Sequence, residues 1–173
     1  MSFLSRIFGK PADRDRALPL YRALVGIARD PSWYRDGQVP DTLDGRFDMI
    51  AAILALILIR LEAEGDAARI ESVLLTEIFI DDMDGTLRQI GVGDLMVGKH
   101  LGKMVGALGG RLAAFRAALA DGDLTRPVTR NIFHDAPPSD ASVALVAGLL
   151  GSFAGRLRLV PTARLLAGEV PQL

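Results

Sequence analysis

Residues Met49–Ile59, MIAAILALILI, form an uninterrupted apolar run with Asp48 on one side and Arg60 on the other. Such a run has to leave water, and its length decides where it goes. Eleven residues rise about 16 Å as a helix, roughly half the hydrocarbon core of a bilayer. The run therefore predicts a central buried helix rather than a membrane span. The rest of the chain must then wall it in on every side. At 173 residues and 50% hydrophobic composition, there is enough material for one core without covalent staples.

The other apolar residues recur at helical spacing, and no alternating strand pattern persists. Leu18, Tyr21, Leu24, Val25 and Ala28 make one stripe, which stops before Asp30-Pro31. Pro31, Gly37 and Pro40 predict a turn-like link, followed by a long helix from about Leu43 to Glu64. Gly65 is expected to end that helix and Asp66 to cap the next, which runs to about Gln89. This second long helix is expected to turn Ile70, Val73, Leu74, Ile78 and Phe79 inward. After Gly91-Val92-Gly93, Asp94 is expected to cap a helix through about Ala120, closed by Asp121-Gly122-Asp123. A shorter element holds Leu124 to Phe133; beyond Ala136-Pro137-Pro138, Ser139 or Asp140 caps a helix to about Leu159, and Pro161 opens a last turn. The expected fold is all-α: a single compact bundle of about six helices with an appended C-terminal helical portion. The expected division is an amphipathic segment over residues 1–12, a helical domain over 13–134 and a helical extension over 135–173 packing on it.

Several chemistries fail on the residues themselves. There is no cysteine, which removes disulfides, thiolate metal sites and cysteine nucleophiles, and His100 and His134 are the only histidines. The stretch Gly93 to Gly98-Lys99-His100 imitates a phosphate-binding loop, but His100 stands where a Ser or Thr should hold magnesium, and no strand precedes it. Asp82-Met83-Asp84-Gly85 imitates a calcium loop, but Gly91 falls where the closing Glu belongs. Glu77, Asp81 and Asp84 share a helix face, yet neither histidine follows a Glu at the spacing of a di-metal bundle. No nucleophile elbow occurs. The expectation is a protein with no catalytic residue, no metal and no cofactor.

Charge is balanced only on average: residues 1–35 carry net +4, residues 36–86 net −9 and residues 87–173 net +4. The basic ends suit ribosomal RNA or anionic lipid, while the overall balance gives no argument for DNA. One reading is that Arg46, Arg88 and Arg111 neutralise the acidic middle; the other is that they rim an apolar site. Asp84 and Arg88 stand at ion-pair spacing. At the N-terminus, Phe3, Leu4, Ile7 and Phe8 share one helical face beside Arg6 and Lys10, a candidate contact for a membrane surface or for the body of the protein. Gly98, Gly102, Gly106 and Gly110 recur every fourth residue, each costing about 1 kcal/mol against alanine in a helix. Such a stripe is expected to admit a close neighbour, either another helix of this chain or a groove ligand. Gly148, Gly151 and Gly155 repeat the pattern more briefly.

Three blocks carry a family resemblance: Trp33-Tyr34; VPDTLDGRFDMI over Val39–Ile50; and FIDDMDGTLRQIGVGDLMVGKHLGKM over Phe79–Met104. With Gly110-Arg111, Ala113–Leu119 and Arg130-Asn131 they resemble, in order, the ubiquinol–cytochrome c chaperone family across Leu20 to Phe133. Gly85 and Gln89 depart from the pattern. The resemblance implies a non-enzymatic assembly chaperone for the cytochrome b subunit of the cytochrome bc1 complex, similar to stand-alone bacterial members. It implies nascent or unassembled cytochrome b as client and the ribosome as a further partner; the basic ends and the N-terminal face add an anionic membrane surface or phospholipid as an expected partner. It also implies a cytoplasmic location, peripheral to the inner membrane. Matched to its blocks, the expected client-binding residues are Trp33, Tyr34, Arg46, Phe47, Asp81, Asp84, Arg88, Asp94, Lys99 and Arg111. The alternative is a peripheral-membrane lipid- or quinone-binding protein, favoured by the apolar run, the glycine stripes and the N-terminal face.

Overall fold

The apolar run is buried along its length, from Met49 to Leu58, inside the long helix that the patterning predicts. The computed structural model describes residues 14–173, apart from the side chains of residues 94 and 95. In chain order the elements are α1 (Leu18–Ala28), α2 (Pro31–Arg35), α3 (Leu43–Glu62), a 3-10 turn (Gly65–Ala68), α4 (Arg69–Gln89), α5 (Asp94–Asp121), α6 (Thr125–Asn131), α7 (Asp140–Leu157) and α8 (Thr162–Leu166). Among the described residues there is no strand, and the fold is the expected all-α bundle. The N-terminal Phe3, Leu4, Ile7 and Phe8 lie outside the described residues.

Helix α3 is the axle. It packs against α1, α4, α5 and α7, so each of these supplies one wall of its sheath. Leu20 and Leu24 of α1, Leu75 and Phe79 of α4, Phe115 of α5 and Val146, Leu150 and Phe153 of α7 close on it in one continuous core. Leu165 of α8 joins that core, and Val170 and Leu173 pack against it. By length and composition α7 could cross a membrane. Here its Val143, Val146, Leu150, Phe153 and Leu157 are buried against the rest of the protein, as in an ordinary core helix.

Local chemistry sets the helix ends. Thr42 caps α3, its hydroxyl accepting from the Gly45 amide at 3.1 Å. Gly65, at φ +61°, breaks the chain after α3 in a conformation that L-residues rarely adopt. Ser139 caps α7 by accepting from the Ser142 amide at 3.1 Å.

Four expectations are corrected. The Pro31–Pro40 link contains a helix, α2, because Pro31 sits at its first turn and Asp30 caps it, accepting from the Ser32 amide at 2.9 Å. Asp66 does not cap α4; the chain enters through the 3-10 turn, and no side chain caps either element. Asp94 is the first residue of α5 rather than its cap, a position that falls to Gly93. Ile70 and Val73 do not face inward: they are 60% and 50% exposed, while Leu74, Leu75, Ile78, Phe79, Met83 and Leu87 fill the core. Helix α4 carries apolar residues at more angles than one buried face can use.

Gly45 is the most tightly enclosed glycine among the described residues. A Cβ built there lies 2.0 Å from the Pro40 carbonyl oxygen, a backbone atom that cannot swing aside. Gly45→Ala is expected to cost roughly 1–3 kcal/mol by overpacking the start of α3. Urea unfolding monitored by circular dichroism measures it, and wild-type stability would contradict this account of the α2–α3 corner.

Candidate functional site

The charge that opens the apolar run does not reach water. Asp48 is 2% exposed, and its carboxylate accepts from Arg111 of α5 through one oxygen and meets His134 Nε2 at 2.7 Å through the other. Arg111 is 5% exposed and also donates to the Asn131 carbonyl at 3.1 Å. Two of its nitrogens, Nε and Nη1, are buried with no hydrogen-bond partner. Its guanidinium carbon lies 5.3 Å from the centre of the Phe47 ring, a cation–π contact, and Phe47 in turn stacks on Phe79 at 5.8 Å. Three segments distant in sequence therefore meet on one carboxylate: α3, α5 and the α6–α7 connection.

Burial works against both charges. It pushes the Asp48 carboxyl above its ordinary range, opposed by the attraction of Arg111 and the hydrogen bond from His134. Burial likewise pulls Arg111 down, opposed by Asp48. Paired, each offsets part of the other's burial cost; alone, either would be a bare charge in the interior. A cleft of about 360 Å³ opens beside the cluster, walled by Phe47, Met104 and Ala107 and edged by Asp44, His100 and Lys103. Among the described residues no group of acids and histidines is placed to hold a metal.

The ten expected client-binding residues do not form one site. Trp33 is fully buried, its indole donating to the Ile27 carbonyl at 2.7 Å, so it belongs to the core and not to a surface. Tyr34 donates to the Ala28 carbonyl at 2.9 Å and shares a second cleft, of about 480 Å³, with Arg29, Arg35 and Arg46. Arg46 pairs with Asp41 at 2.6 Å, a bond that holds Asp41 below the usual carboxylate range. Asp81 accepts from Arg14, and Asp84 pairs with Arg88 at 2.7 Å along α4. Arg46, Arg88 and Arg111 each pair with an acid of the acidic middle third, as the neutralising reading expected. Among the described side chains of the ten, Phe47 touches Arg111 and Asp84 touches Arg88, two separate pairs. Lys99 is exposed on α5, and the Asp94 side chain lies outside the described residues.

The glycine stripe gives the clearest departure. A Cβ at Gly98, Gly102, Gly106, Gly109 or Gly110 would meet nothing within 4 Å. Among the described residues no other helix sits on the stripe; there it forms the open outer face of α5, with Met96 and Val105 exposed beside it. In the shorter stripe only Gly151 is used for packing, against Leu124 at 3.3 Å. Patterning missed His134 and the tie between Tyr21 and Asp82 at 2.7 Å. No local signal marks His134, which reaches Asp48 across 86 residues.

The family model described as ubiquinol–cytochrome C chaperone matches residues 35–172, which take in α3 through α8. This chain belongs to the ubiquinol–cytochrome c chaperone family. Its structure is similar to the crystal structure of the Cbp3 homolog from Brucella abortus, with TM-score 0.81 at 30% identity, covering 94% of this chain and 91% of that one. No curated protein is significantly similar in sequence. Membership makes this protein a chaperone and not a catalyst, and it places the Asp48–Arg111 cluster and the α5 face within the family's shared region. Trp33 and Tyr34 lie just outside the matched span.

Breaking the cluster from one side is expected to cost about 3–5 kcal/mol, because the surviving charge stays buried. Asp48→Asn and Arg111→Met should each show this loss in denaturant unfolding. The double variant Asp48→Leu with Arg111→Met should lose much less than the two singles together. Additive losses would mean that the two residues act independently.

Proposed function

We propose that this protein is an assembly chaperone for the cytochrome b subunit of the cytochrome bc1 complex, holding apolar client segments before they pack. The supporting observation is the match of residues 35–172 to the ubiquinol–cytochrome c chaperone family, together with the likeness to the Cbp3 homolog. The chemistry of the molecule is compatible with that work. A holding surface has to be apolar enough to attract a helix and polar enough at its edge to stay dissolved. The outer face of α5 meets both needs. Gly98, Gly102, Gly106 and Gly110 let a client backbone approach closely, and Lys99 and Lys103 stand exposed at its edge.

The client surface in this reading is the α5 face, with Lys99 at its margin. Phe47 and Arg111 serve behind it by joining α3, α4 and α5, while Arg46, Asp81, Asp84 and Arg88 are held in ion pairs away from it. Trp33 and Tyr34 support the α1–α2 corner. The ribosome and the inner-membrane surface are where a cytochrome b segment first needs shelter, so encounters there belong to the same proposal.

Two substitutions at one position test it. Gly106→Ala fills open space on a helix and should raise stability by about 1 kcal/mol. Gly106→Leu should also fold, since no atom lies within 4 Å, but it should cut capture of the client about tenfold by roughening the face. The readout is crosslinking during translation, from a photoreactive residue at Val105, with the captured polypeptide identified by mass spectrometry. Equal capture by both variants, or undiminished assembled bc1 complex in cells lacking the protein, contradicts the proposal.

A further inference from the structure

Val73, half-exposed on α4, lines a groove of about 340 Å³. Its walls are Leu58 of α3, Val73 and Thr76 of α4 and Leu112 of α5, with Glu62, Arg69 and Glu77 around them. These charges differ in how far they are already answered. Glu62 is held by Arg116 at 2.7 Å. Glu77 is 8% exposed, yet its Oε2 has no hydrogen-bond partner among the described residues; its nearest cation is Arg14, at 3.6 Å. A nearly buried carboxylate oxygen left without a donor, in the wall of an apolar groove, calls for an occupant that brings both apolar side chains and an N–H or a cation.

The chain itself supplies that chemistry at the right place. Its first described residue, Arg14, is tethered to Glu77 and Asp81, and Arg16 to Glu71 at 2.8 Å, so the chain reaches α4 beside the groove. The residues before Arg14 include Phe3, Leu4, Ile7 and Phe8 at helical spacing, with Arg6 and Lys10 among them. Residues 3–10 as a helix span about 12 Å, the same length as α4 from Arg69 to Glu77, and residues 11–13 provide roughly 10 Å of reach. Charge agrees: the segment is basic, and α4 offers Glu71, Glu77, Asp81, Asp82 and Asp84. The same acids disfavour an anionic membrane as the occupant. We propose that this groove is the docking site of the chain's own N-terminal segment, with Phe3, Leu4, Ile7 and Phe8 against Leu58, Val73 and Leu112, and Arg6 or Lys10 at Glu77. Docking there covers Val73, which α4 leaves half-exposed, on a surface other than the α5 face, and it does not rest on the identity of any client.

The absence of cysteine makes the test clean. In the full chain, Phe8→Cys combined with Val73→Cys should join within one molecule when treated with a short bismaleimide in vesicle-free buffer. Phe8→Cys combined with Ser152→Cys, on exposed α7, is the comparison pair. Adding Arg6→Glu and Lys10→Glu to the first pair should reduce its crosslinking about tenfold, the effect of losing a desolvated charge partner. The proposal is overturned if the Val73 pair joins no better than the Ser152 pair, or if the product links two copies of the chain. It is also overturned if residues 3–10 gain amide-exchange protection only on adding phosphatidylglycerol vesicles, or if charge reversal leaves the crosslink unchanged.

Discussion

The two charges that bracket the apolar run are what the rest of the fold is fastened to. Helix α3 has no polar side chain between Asp48 and Arg60 with which to choose its rotation or its depth. Hydrophobic burial alone is non-directional, so it would leave the helix free to slide. Asp48 fixes one end by drawing Arg111 and His134 onto itself. Arg60 fixes the other by donating to the Leu157 carbonyl and the Val160 carbonyl, each at 3.2 Å, while pairing with Glu64 at 2.6 Å. One end is thereby tied to α5 and the α6–α7 connection, the other to the junction of α7 and α8. The apolar run provides the driving force, and its charged flanks provide the register.

That division of labour explains what patterning could and could not reveal. Periodicity located α1, α5 and α7 because each has to bury a face against α3, and burial leaves a mark on sequence. It misplaced Ile70 and Val73 because α4 has apolar residues around most of its circumference, and spacing alone does not say which of them the core has room for. The glycine stripe was legible as smoothness, but smoothness has no sign. Gly106 reads the same whether its neighbour is another helix of this chain or solvent, and only the three-dimensional arrangement shows the space to be open. The pairing of Asp48 with Arg111 was foreseen in kind, as neutralisation of the acidic third, whereas His134 was invisible. A partner recruited from a connection between helices follows no helical period.

An exposed row of glycines is an unstable way to build a helix surface. Four such residues forgo about 4 kcal/mol against alanine by propensity alone, and nothing among the described residues packs on them in return. Local rules of this kind are broken in natural proteins chiefly where function asks for it. The cost is bearable here because α5 does not depend on its outer face. Val97, Leu108, Phe115 and Ala118 bury its inner side, and Arg111 ties it to α3.

The same reasoning separates residues that shape a working surface from those that touch a partner. Arg111 is one residue beyond Gly110, yet it points inward to Asp48 and Phe47 while the glycines look outward. A change at Arg111 would reach the outer face indirectly, by freeing α5 to rotate or lift from the axle. A change at Gly106 would alter the surface with α5 still held. Gly110 and Arg111, side by side in sequence, thus lie in different surroundings, one open and one buried against Asp48. Their separation is geometric: a helix turns about 100° per residue, so neighbours in sequence face different worlds.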